Sequence, residues 1–356
     1  MQFQENYPMS NLTTLKIGGP AKKFVEVSSD DELIEAIKYA KDNHLEYLVI
    51  GGGSNLLVSD EGVDKLIIKN EIVGITTSKV GTERSRSNSF EVKVKSGTVL
   101  QDLVDYTIQH GLSGLHKMTG IPGTVGGAVY GNAGAYGQTI SDHIMAVTVL
   151  DHSTVIPAKV LRSRGPQDRG AGIYTNNIYG SRIPLKARLA FGGKYGMTKE
   201  ACGFNYRDSG FKRNHYIILE VPFQLQKADP KTLEQEAEDV LSKRLVKYPK
   251  GIKCPGSFFK NIVADSLPKE ILQKIPQDKI TYGKISAGYL LEAVGAQGQK
   301  LDGIEIAPYH ANLFINKGEG TAQDFYTLAQ KYAQKVKQKF GITLEPEVQL
   351  INLPPI

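Results

Sequence analysis

Apolar residues recur every three to four positions in several segments of the chain, which is the spacing of an amphipathic helix. One segment carries Leu33, Ile37 and Ala40 on one face, and a later segment places Phe325 and Tyr332 on one stripe. The helices predicted in this way cover about residues 29–43, 98–111, 231–247, 287–293 and 321–340.

Short runs of apolar and β-branched residues between these helices predict strands. The predicted strands cover residues 24–27, 47–50, 65–69, 90–94, 145–150, 216–223 and 342–351. Helices and strands are mixed along the chain, so the fold class is α+β. The strands at 65–69 and 90–94 are predicted to flank the polar residues 79–89, which indicate an exposed hairpin tip without a function of its own.

Two sequence patterns of the capping-box type mark helix starts. Ser29 with Glu32 precedes the first predicted helix, and Thr98 with Gln101 precedes the second. Pro249 and Gly341 are expected to end the helices that come before them.

The first glycine-rich segment, GGGSNLL at residues 51–57, directly follows the apolar strand at 47–50. Successive amides in such a turn can surround a phosphate. The spacing is not GxGxxG, and Leu56 continues into an apolar run rather than a helix, so a Rossmann dinucleotide site is disfavoured.

The second glycine-rich segment, GIPGTVGGAVYGNAGAYG, has seven glycines in residues 120–137 and almost no charge. Apolar residues such as Ile121 and Val129 are interleaved, which favours a packed segment that presents amides over a flexible linker. A tight turn between two buried strands is the alternative. Two glycine-rich segments that both present amides suit a cofactor with a pyrophosphate.

Composition narrows the class of protein. The 356 residues are enough for two or three domains. No apolar run is long enough to span a membrane, and the first residues do not resemble a signal peptide, so a cytoplasmic protein is expected. The two cysteines, Cys202 and Cys254, are far apart and predict neither a disulfide framework nor a metal site.

The net charge of +6 comes mostly from one segment, residues 152–199, which has nine basic residues and one acid, Asp168. The remainder of the chain is slightly acidic. A solvated loop is the favoured interpretation of this segment, because it shows neither a helical basic face nor an RNA-binding signature. Nucleic-acid binding is the alternative.

The motifs GGGSNLL, IPGTVGGAVYGNAGAYGQ, YRDSGFK, GSFFKN and LEPEV occur in this order over nearly the whole chain. In this respect the sequence resembles the UDP-N-acetylenolpyruvoylglucosamine reductase (MurB) family. The resemblance implies a two-subdomain FAD-binding domain of the vanillyl-alcohol oxidase type and a C-terminal α+β substrate domain. We expect FAD-binding subdomains at 1–70 and 71–227 and the substrate domain at 228–356.

The sequence departs from the family pattern at two places. The basic segment at about 152–199 is longer than the family's usual strand connection, and no physical reason for it is evident. Ile262 follows GSFFKN where the family has proline. The extra tyrosine-bearing loop of one subgroup is not seen, so the shorter subgroup is the better match.

The resemblance implies a reaction in which NADPH reduces FAD, and the reduced flavin reduces the enolpyruvyl ether of a UDP-sugar. Arg207 in YRDS is expected to hold the substrate carboxylate, because guanidinium grips a carboxylate with two hydrogen bonds. A structural salt bridge with Asp208 or another acid is the alternative.

Glu347 matches the family's second stabilising group, and Glu345 is its rival, because both would face the same side of an extended strand. An exposed carboxylate is the other possibility for Glu347. Ser257 corresponds to the family's proton donor, with Lys260 and Asn261 as candidates to stabilise its alkoxide. Ordinary turn chemistry is the alternative for Ser257.

The remaining expected site residues fall into two groups. For the cofactor they are Gly51, Gly52, Gly53, Ser54, Asn55, Leu56, Gly123, Thr124, Gly127, Asn132, Ala133 and Gly134. For the substrate they are Tyr206, Lys260, Asn261, Lys300 and His310, although a packed aromatic ring or a solvated surface residue is the ordinary interpretation of such positions.

The expected protein is therefore an FAD-dependent NADPH oxidoreductase that makes UDP-N-acetylmuramate for peptidoglycan. It should act as a cytoplasmic monomer without metal, nucleic acid or membrane. An oxidase of the same fold and a non-catalytic flavin or sugar-nucleotide binder are the alternatives.

Overall fold

The computed structural model describes residues 1–80, 88–151, 193–214 and 216–356. Most of the predicted hairpin tip and most of the basic segment lie outside the described residues. The chain forms two compact units, each built from separate stretches. Unit 1 comprises Met1–Phe3, Phe24–Gly51 and Lys65–Glu238, and unit 2 comprises Gln4–Lys23, Gly52–Asp64 and Asp239–Ile356.

The strands in the first half of the chain are β1 (Gln4–Pro8), β2 (Pro20–Val27), β3 (Tyr47–Ile50), β4 (Leu56–Val58), β5 (Val63–Asn70), β6 (Ile75–Lys79), β7 (Ser89–Lys95), β8 (Leu112–Ser113), β9 (Gly134–Ala135), β10 (Gln138–Thr139) and β11 (Ala146–Asp151). Those that follow are β12 (Lys194–Thr198), β13 (Tyr216–Lys227), β14 (Ile262–Val263), β15 (Ile280–Thr281), β16 (Lys284–Ile285), β17 (Lys300–Leu301), β18 (Ile304–Ile306), β19 (Phe314–Asn316) and β20 (Gln349–Ile351).

The α-helices of the described residues are α1 (Asp30–Asp42), α2 (Leu100–Gln109), α3 (Val125–Gly131), α4 (Pro230–Lys247), α5 (Lys269–Leu272), α6 (Ala287–Glu292) and α7 (Ala322–Phe340). None of them is long and apolar enough to cross a membrane.

Unit 1 contains an antiparallel sheet in the order β12-β11-β13-β7-β6, with β8 paired to β13. Alternate residues of its strands, such as Val92, Val94, Val221 and Phe223, are fully buried and form one core with residues of α2 and α3. The period of two in these strands is what buries one face of a sheet against helices.

The second core of unit 1 forms around α1. Leu33, Ile37 and Ala40 are completely buried, as the helical pattern predicts. Ser29 caps the helix by accepting a hydrogen bond from Glu32 N, whereas the Glu32 carboxylate accepts from Ser28. Neighbouring strands β3 and β5 pair in parallel from Tyr47 opposite Leu66 onwards.

Unit 2 is organised around α7 and a set of short strands. Phe258, Phe314 and Phe325 are fully buried and contact one another, with ring centroids 4.9 to 5.5 Å apart. A capping box of Thr321 and Asp324 begins α7, and Gly341 ends it in the left-handed conformation. The parallel pair β4 and β20 brings the first glycine turn close to the C-terminal residues of the same unit.

Three predictions of secondary structure are wrong. Thr98 and Gln101 do not cap α2, whose N-cap is Val99: the Thr98 hydroxyl bonds to Gly74, and Gln101 bonds to Asp105 and Gly120 instead. Strand β6, not residues 65–69, is the hairpin partner of β7. The terminal strand is only Gln349–Ile351, because Glu345 to Glu347 bond singly to residues 258–260 rather than to a strand ladder.

Candidate functional site

The first glycine turn is closely packed against its own unit. Gly53 has a φ of +60°, and a Cβ atom on it would overlap the carbonyl oxygen of Leu12. Gly53 O accepts a hydrogen bond from Thr14 N, and Asn55 O accepts one from Gln349 N. In the described part of the chain, the amides of Gly52 and Gly53 donate to no main-chain acceptor. The turn therefore uses its carbonyl groups for structure and leaves these two amides for a ligand.

The second glycine-rich segment folds partly into α3, and this changes the expectation that it presents its amides. The amides of Val125 and Gly126 donate to Thr98 O and Ser96 O, both at 2.8 Å. Thr124 caps the helix through a hydrogen bond from Gly127 N, and a Cβ atom on Gly51 would overlap the Thr124 hydroxyl. The start of α3 thus bonds to protein rather than offering amides to a phosphate.

Two glycines of α3 face space rather than protein. A Cβ atom on Gly131 would meet no atom of the described residues within 4 Å, and one on Gly127 would meet only the Thr124 hydroxyl at 3.5 Å. Glycine in a helix costs about 1 kcal/mol relative to alanine, so its presence needs another reason. Gly127 and Gly131 lie about one turn apart and together expose a strip of main chain. Close approach of a flat or extended cofactor requires such a strip.

The YRDS loop is fastened to the end of α3 by three side-chain hydrogen bonds. Asn132 Nδ2 donates to Asn205 O at 2.8 Å, and Ser209 Oγ donates to Tyr130 O at 2.7 Å. Arg207 Nη2 donates to Gly134 O at 2.7 Å. Arg207, Asn132 and Gly134, which were predicted separately from sequence, therefore belong to one cluster within unit 1.

Arg207 lies in the left-handed region, with a φ of +51°. A non-glycine residue rarely adopts this conformation unless its surroundings hold it there. The alternative of a salt bridge to Asp208 is not what the structure shows, because the Asp208 carboxylate pairs with Arg213. Burial is the largest single influence and raises the pKa of Asp208, but the hydrogen bond and charge of Arg213, together with Ser209 N and Lys212, lower the pKa overall. The ring of Tyr206 stacks under the Arg207 guanidinium, with 5.7 Å between its centroid and Cζ.

Ser257 lies in unit 2 at the start of a rigid segment. Phe258 N donates to Asn312 O at 2.9 Å, and Phe259 exchanges two hydrogen bonds of 2.8 Å with the Asn312 side chain. Asn312 is 2% exposed. The Ser257 hydroxyl is 3.1 Å from the hydroxyl of Tyr248.

Glu347 is connected to this segment by the main chain. Its amide donates to Phe258 O at 2.7 Å, and its carbonyl oxygen accepts from Asn55 Nδ2 at 3.1 Å. The carboxylates of Glu345 and Glu347 differ in their surroundings: Glu345 is exposed and pairs with Lys260 at 3.4 Å, whereas Glu347 is half-buried. The structure therefore separates two residues that spacing alone leaves equivalent, and it brings Glu347 and Ser257 into one site.

Other predicted substrate residues have different surroundings. The Asn261 side chain accepts a hydrogen bond from Ala287 N at the start of α6, and Lys260 Nζ donates to the Glu345 carboxylate. Both side chains are therefore bonded to groups other than Ser257. Lys300 is an exposed residue, 3.6 Å from Glu305. Burial, assisted by Lys247, lowers the pKa of His310 to about 4. His310 is consequently neutral at neutral pH and cannot supply a positive charge to a diphosphate.

Sequence reasoning missed Tyr248, Asn312 and Asn205. Tyr248 is separated from Ser257 by eight residues that include two prolines and two glycines, so its contact depends on how residues 249–256 fold. The Asn312 side chain exchanges two hydrogen bonds with the main chain of Phe259, and the Asn205 carbonyl oxygen accepts one from the Asn132 side chain. No periodic pattern or local motif marks such residues, although Asn205 directly precedes YRDS.

Two family models match separate parts of the chain. Residues 21–155 match the FAD binding domain, and residues 248–351 match the UDP-N-acetylenolpyruvoylglucosamine reductase C-terminal domain. The expected α+β class, with an FAD-binding domain followed by a C-terminal domain, is confirmed.

Similar proteins match over almost the full length. A UDP-N-acetylenolpyruvoylglucosamine reductase of Solibacter usitatus is 35% identical over 97% of this chain and 95% of the relative. UDP-N-acetylenolpyruvoylglucosamine reductase 2 of Bacillus cereus is 31% identical over 97% of this chain and 91% of the relative. The crystal structure of the reductase from Thermus caldophilus covers 98% of both chains with 25% identity and a TM-score of 0.65.

Proposed function

The chain belongs to the UDP-N-acetylenolpyruvoylglucosamine reductase family, and we propose that it uses NADPH and FAD to reduce UDP-N-acetyl-enolpyruvoylglucosamine to UDP-N-acetylmuramate. This reaction supplies a peptidoglycan precursor. The observation that carries the proposal is the match over 97% of the chain to a relative of that name.

The residues present fit an FAD cofactor. The amides of Gly52 and Gly53 suit a pyrophosphate, and the open strip over Gly127 and Gly131 accepts close approach. We assign two sets of residues to cofactor binding: Gly51, Gly52, Gly53, Ser54, Asn55 and Leu56, and Gly123, Thr124, Gly127, Asn132, Ala133 and Gly134. When bound, FAD accepts hydride from NADPH and transfers it to the alkene of the substrate.

Arg207 is assigned to the carboxylate of the enolpyruvyl group. An enol ether is not electron-poor, so hydride addition requires the carboxylate to accept developing negative charge. A guanidinium that is already fixed by Gly134 and by its own left-handed backbone supplies a preorganised cation. Tyr206, stacked under the same guanidinium, helps to hold it in place.

Ser257 is assigned as the proton donor to the substrate carbon, and Glu347 as the second group that stabilises the intermediate. The main-chain bond between Phe258 O and Glu347 N fixes both residues on one framework. If Glu347 donates a hydrogen bond, its carboxyl group must be protonated in the complex. Lys260, Asn261, Lys300 and His310 remain proposals for substrate contact, with His310 acting as a neutral group.

We further propose a cytoplasmic monomer without nucleic-acid or membrane partners, because its substrate is a UDP-sugar and its reductant NADPH, both water-soluble. Size-exclusion chromatography of the purified protein tests the monomer.

The function is tested first by colour and turnover. The purified protein should be yellow, because a cofactor with most of its surface buried normally survives purification. NADPH oxidation should depend on the enolpyruvyl substrate. An oxidase would instead consume NADPH at the full rate with oxygen alone, and a binder would not consume it at all.

The role of Ser257 is tested by separating the two half-reactions in stopped-flow absorbance. Ser257→Ala should leave flavin reduction by NADPH near the parent rate, because that step needs no protein acid. Reoxidation by substrate should slow at least about a hundredfold, the lower end of what a positioned general acid contributes. Reoxidation at the parent rate would show that the proton comes from another group.

Arg207→Lys provides the matched comparison in the same assay. A lysine keeps the charge but cannot grip a carboxylate with two parallel hydrogen bonds. We expect weaker substrate binding together with slower reoxidation, whereas Ser257→Ala should affect mainly the rate. Equal substrate affinity in the lysine variant would contradict the assignment of Arg207.

A further inference from the structure

The hydroxyl groups of Tyr248 and Ser257 are 3.1 Å apart, and either can donate. We propose that Tyr248 is a positioning residue for Ser257 that returns a proton to its oxygen after Ser257 has protonated the substrate carbon. This inference rests on the proposed function of Ser257 and adds the group that the serine needs.

Tyr248 is held in place by its main chain and by the packing of its side chain. Its amide donates to Arg244 O at 2.7 Å, which continues the hydrogen bonding of α4 by one residue. Together with Ile252, Tyr248 packs against a small buried cluster of Cys254, Ala307, Leu313 and Ile315. Packing therefore holds the Tyr248 hydroxyl next to Ser257, and the tyrosine side chain has little rotamer freedom left to lose.

Ser257 is held from the opposite side by a related set of contacts. It forms an isolated β-bridge with Leu313, a member of the same cluster, and the next residue, Phe258, is fully buried. Among the hydrogen bonds of the described residues, the one to Tyr248 is made by the Ser257 side chain itself. Lys260 and Asn261, the neighbours expected from sequence to assist the serine, bond to other groups.

The chemistry balances without a further reactant. The Ser257 O–H bond breaks as a C–H bond forms at the substrate, which leaves a serine alkoxide. The Tyr248 O–H bond then breaks and restores the serine hydroxyl, because a phenol is a much stronger acid than an alcohol. Water finally returns a proton to the phenolate.

The surroundings of Tyr248 suit such a step. Arg244 Cζ and Lys247 Nζ lie 5.6 and 5.5 Å from the centroid of the Tyr248 ring. Two cations therefore lie close to the ring that would carry the phenolate charge. Burial raises the pKa of Tyr248, which keeps the hydroxyl protonated at neutral pH and ready to donate. Its hydrogen bond with Ser257 and the charge of Arg244 act in the opposite direction and limit this rise.

Tyr248→Phe removes only the hydroxyl, and its effect is measured in the flavin-loaded enzyme by stopped-flow absorbance. Reduction by NADPH should stay within about twofold of the parent, and reoxidation by substrate should slow at least about tenfold, as expected for one hydrogen bond to a developing charge. Tyr326→Phe is the control, because the Tyr326 hydroxyl is also hydrogen-bonded, donating to Pro355 O at 3.0 Å and accepting from Gln330 Nε2 at 3.4 Å, and neither partner is Ser257. That variant should match the parent in both steps.

A second measurement does not depend on turnover. In Ser257→Cys, the pKa of the introduced thiol is read from the pH dependence of alkylation, since Cys202 and Cys254 are buried. Adding Tyr248→Phe should raise that pKa by about one unit, because the thiolate loses a hydrogen-bond donor. Tyr248→His, which keeps a donor, should recover part of the reoxidation rate and serves if the phenylalanine variant does not fold.

The outcomes separate the two proposals. Slow reoxidation in Ser257→Ala with normal reoxidation in Tyr248→Phe overturns the role of Tyr248 and leaves Ser257 as the acid. Normal reoxidation in Ser257→Ala overturns the assignment of Ser257 and, with it, this inference. An unchanged thiol pKa also contradicts the proposed role of Tyr248.

Discussion

The two glycine-rich segments look alike in sequence but use glycine for different reasons. At Gly53 in the turn 51–57, a side chain would collide with the main chain at Leu12, and the backbone is left-handed. At Gly131 in α3, a side chain would meet nothing in the described residues. The first glycine is required by the protein, whereas no contact of the described residues requires the second, which we propose is kept for the cofactor. Glycine count alone therefore does not locate a cofactor site, because the space beyond each Cα decides its meaning.

The hydrogen bonds of the two segments differ in the same sense. The turn bonds through the carbonyl groups of Gly53 and Asn55, while the start of α3 bonds through the amides of Val125 and Gly126. An anion is bound by amides, so the turn has the more suitable free groups. The helix contributes an open surface and, at its end, the side-chain bonds that fasten Arg207.

The largest expected effect is at Gly53. Gly53→Ala should lower the free energy of unfolding by roughly 3 kcal/mol, because both the left-handed φ and the collision with Leu12 O oppose it. Chemical denaturation of the flavin-free protein measures this change. Gly295→Ala is the control, since Gly295 has a φ of +73° and open space around it, and only the conformational part, about 1 kcal/mol, should remain. Equal losses in both variants would show that the collision is relieved.

The sequence predicted the elements whose signals are local. Leu33, Ile37 and Ala40 are buried as their spacing requires, and Gly341 ends α7. Thr98 and Gln101 have the right spacing for a capping box but bond to Gly74 and Gly120, because partners distant in sequence compete for the same side-chain groups. A local pattern cannot reveal that competition.

The site shows the same limit. The resemblance identified Arg207, Ser257 and Glu347 as candidates, yet spacing could not choose between Glu345 and Glu347. In the folded chain their surroundings differ, because Lys260 pairs with Glu345 across 85 positions of sequence. The contact of Tyr248 with Ser257 and that of Asn132 with the YRDS loop could not be predicted for a similar reason. Each is one hydrogen bond that exists only in the folded chain.

An intermediate effect is expected at Asn132, which ends α3 and holds the YRDS loop. Asn132→Ala should lower the free energy of unfolding by about 2 kcal/mol, because alanine is disfavoured at a φ of +45° and the bond to Asn205 O is lost. Asn132→Gly is the matched control that tolerates the backbone and loses only the bond. Weaker substrate binding in both variants, measured by the concentration dependence of reoxidation, would show that the loop positions Arg207. Unchanged binding would mean that Gly134 alone suffices.

The smallest effect on stability, and the sharpest test of the comparison, is expected at Gly131. Gly131→Ala should raise the free energy of unfolding of the flavin-free protein by about 0.5 kcal/mol, because alanine favours helix and meets no protein atom of the described residues. The same methyl group should weaken FAD binding, measured by titration of the flavin-free protein. Gly126→Ala, which would press on Ser96 Cβ at 2.8 Å, should instead destabilise the protein. If Gly131→Ala leaves FAD affinity unchanged, the strip over α3 is not part of the cofactor site, and the contrast with Gly53 loses its functional meaning.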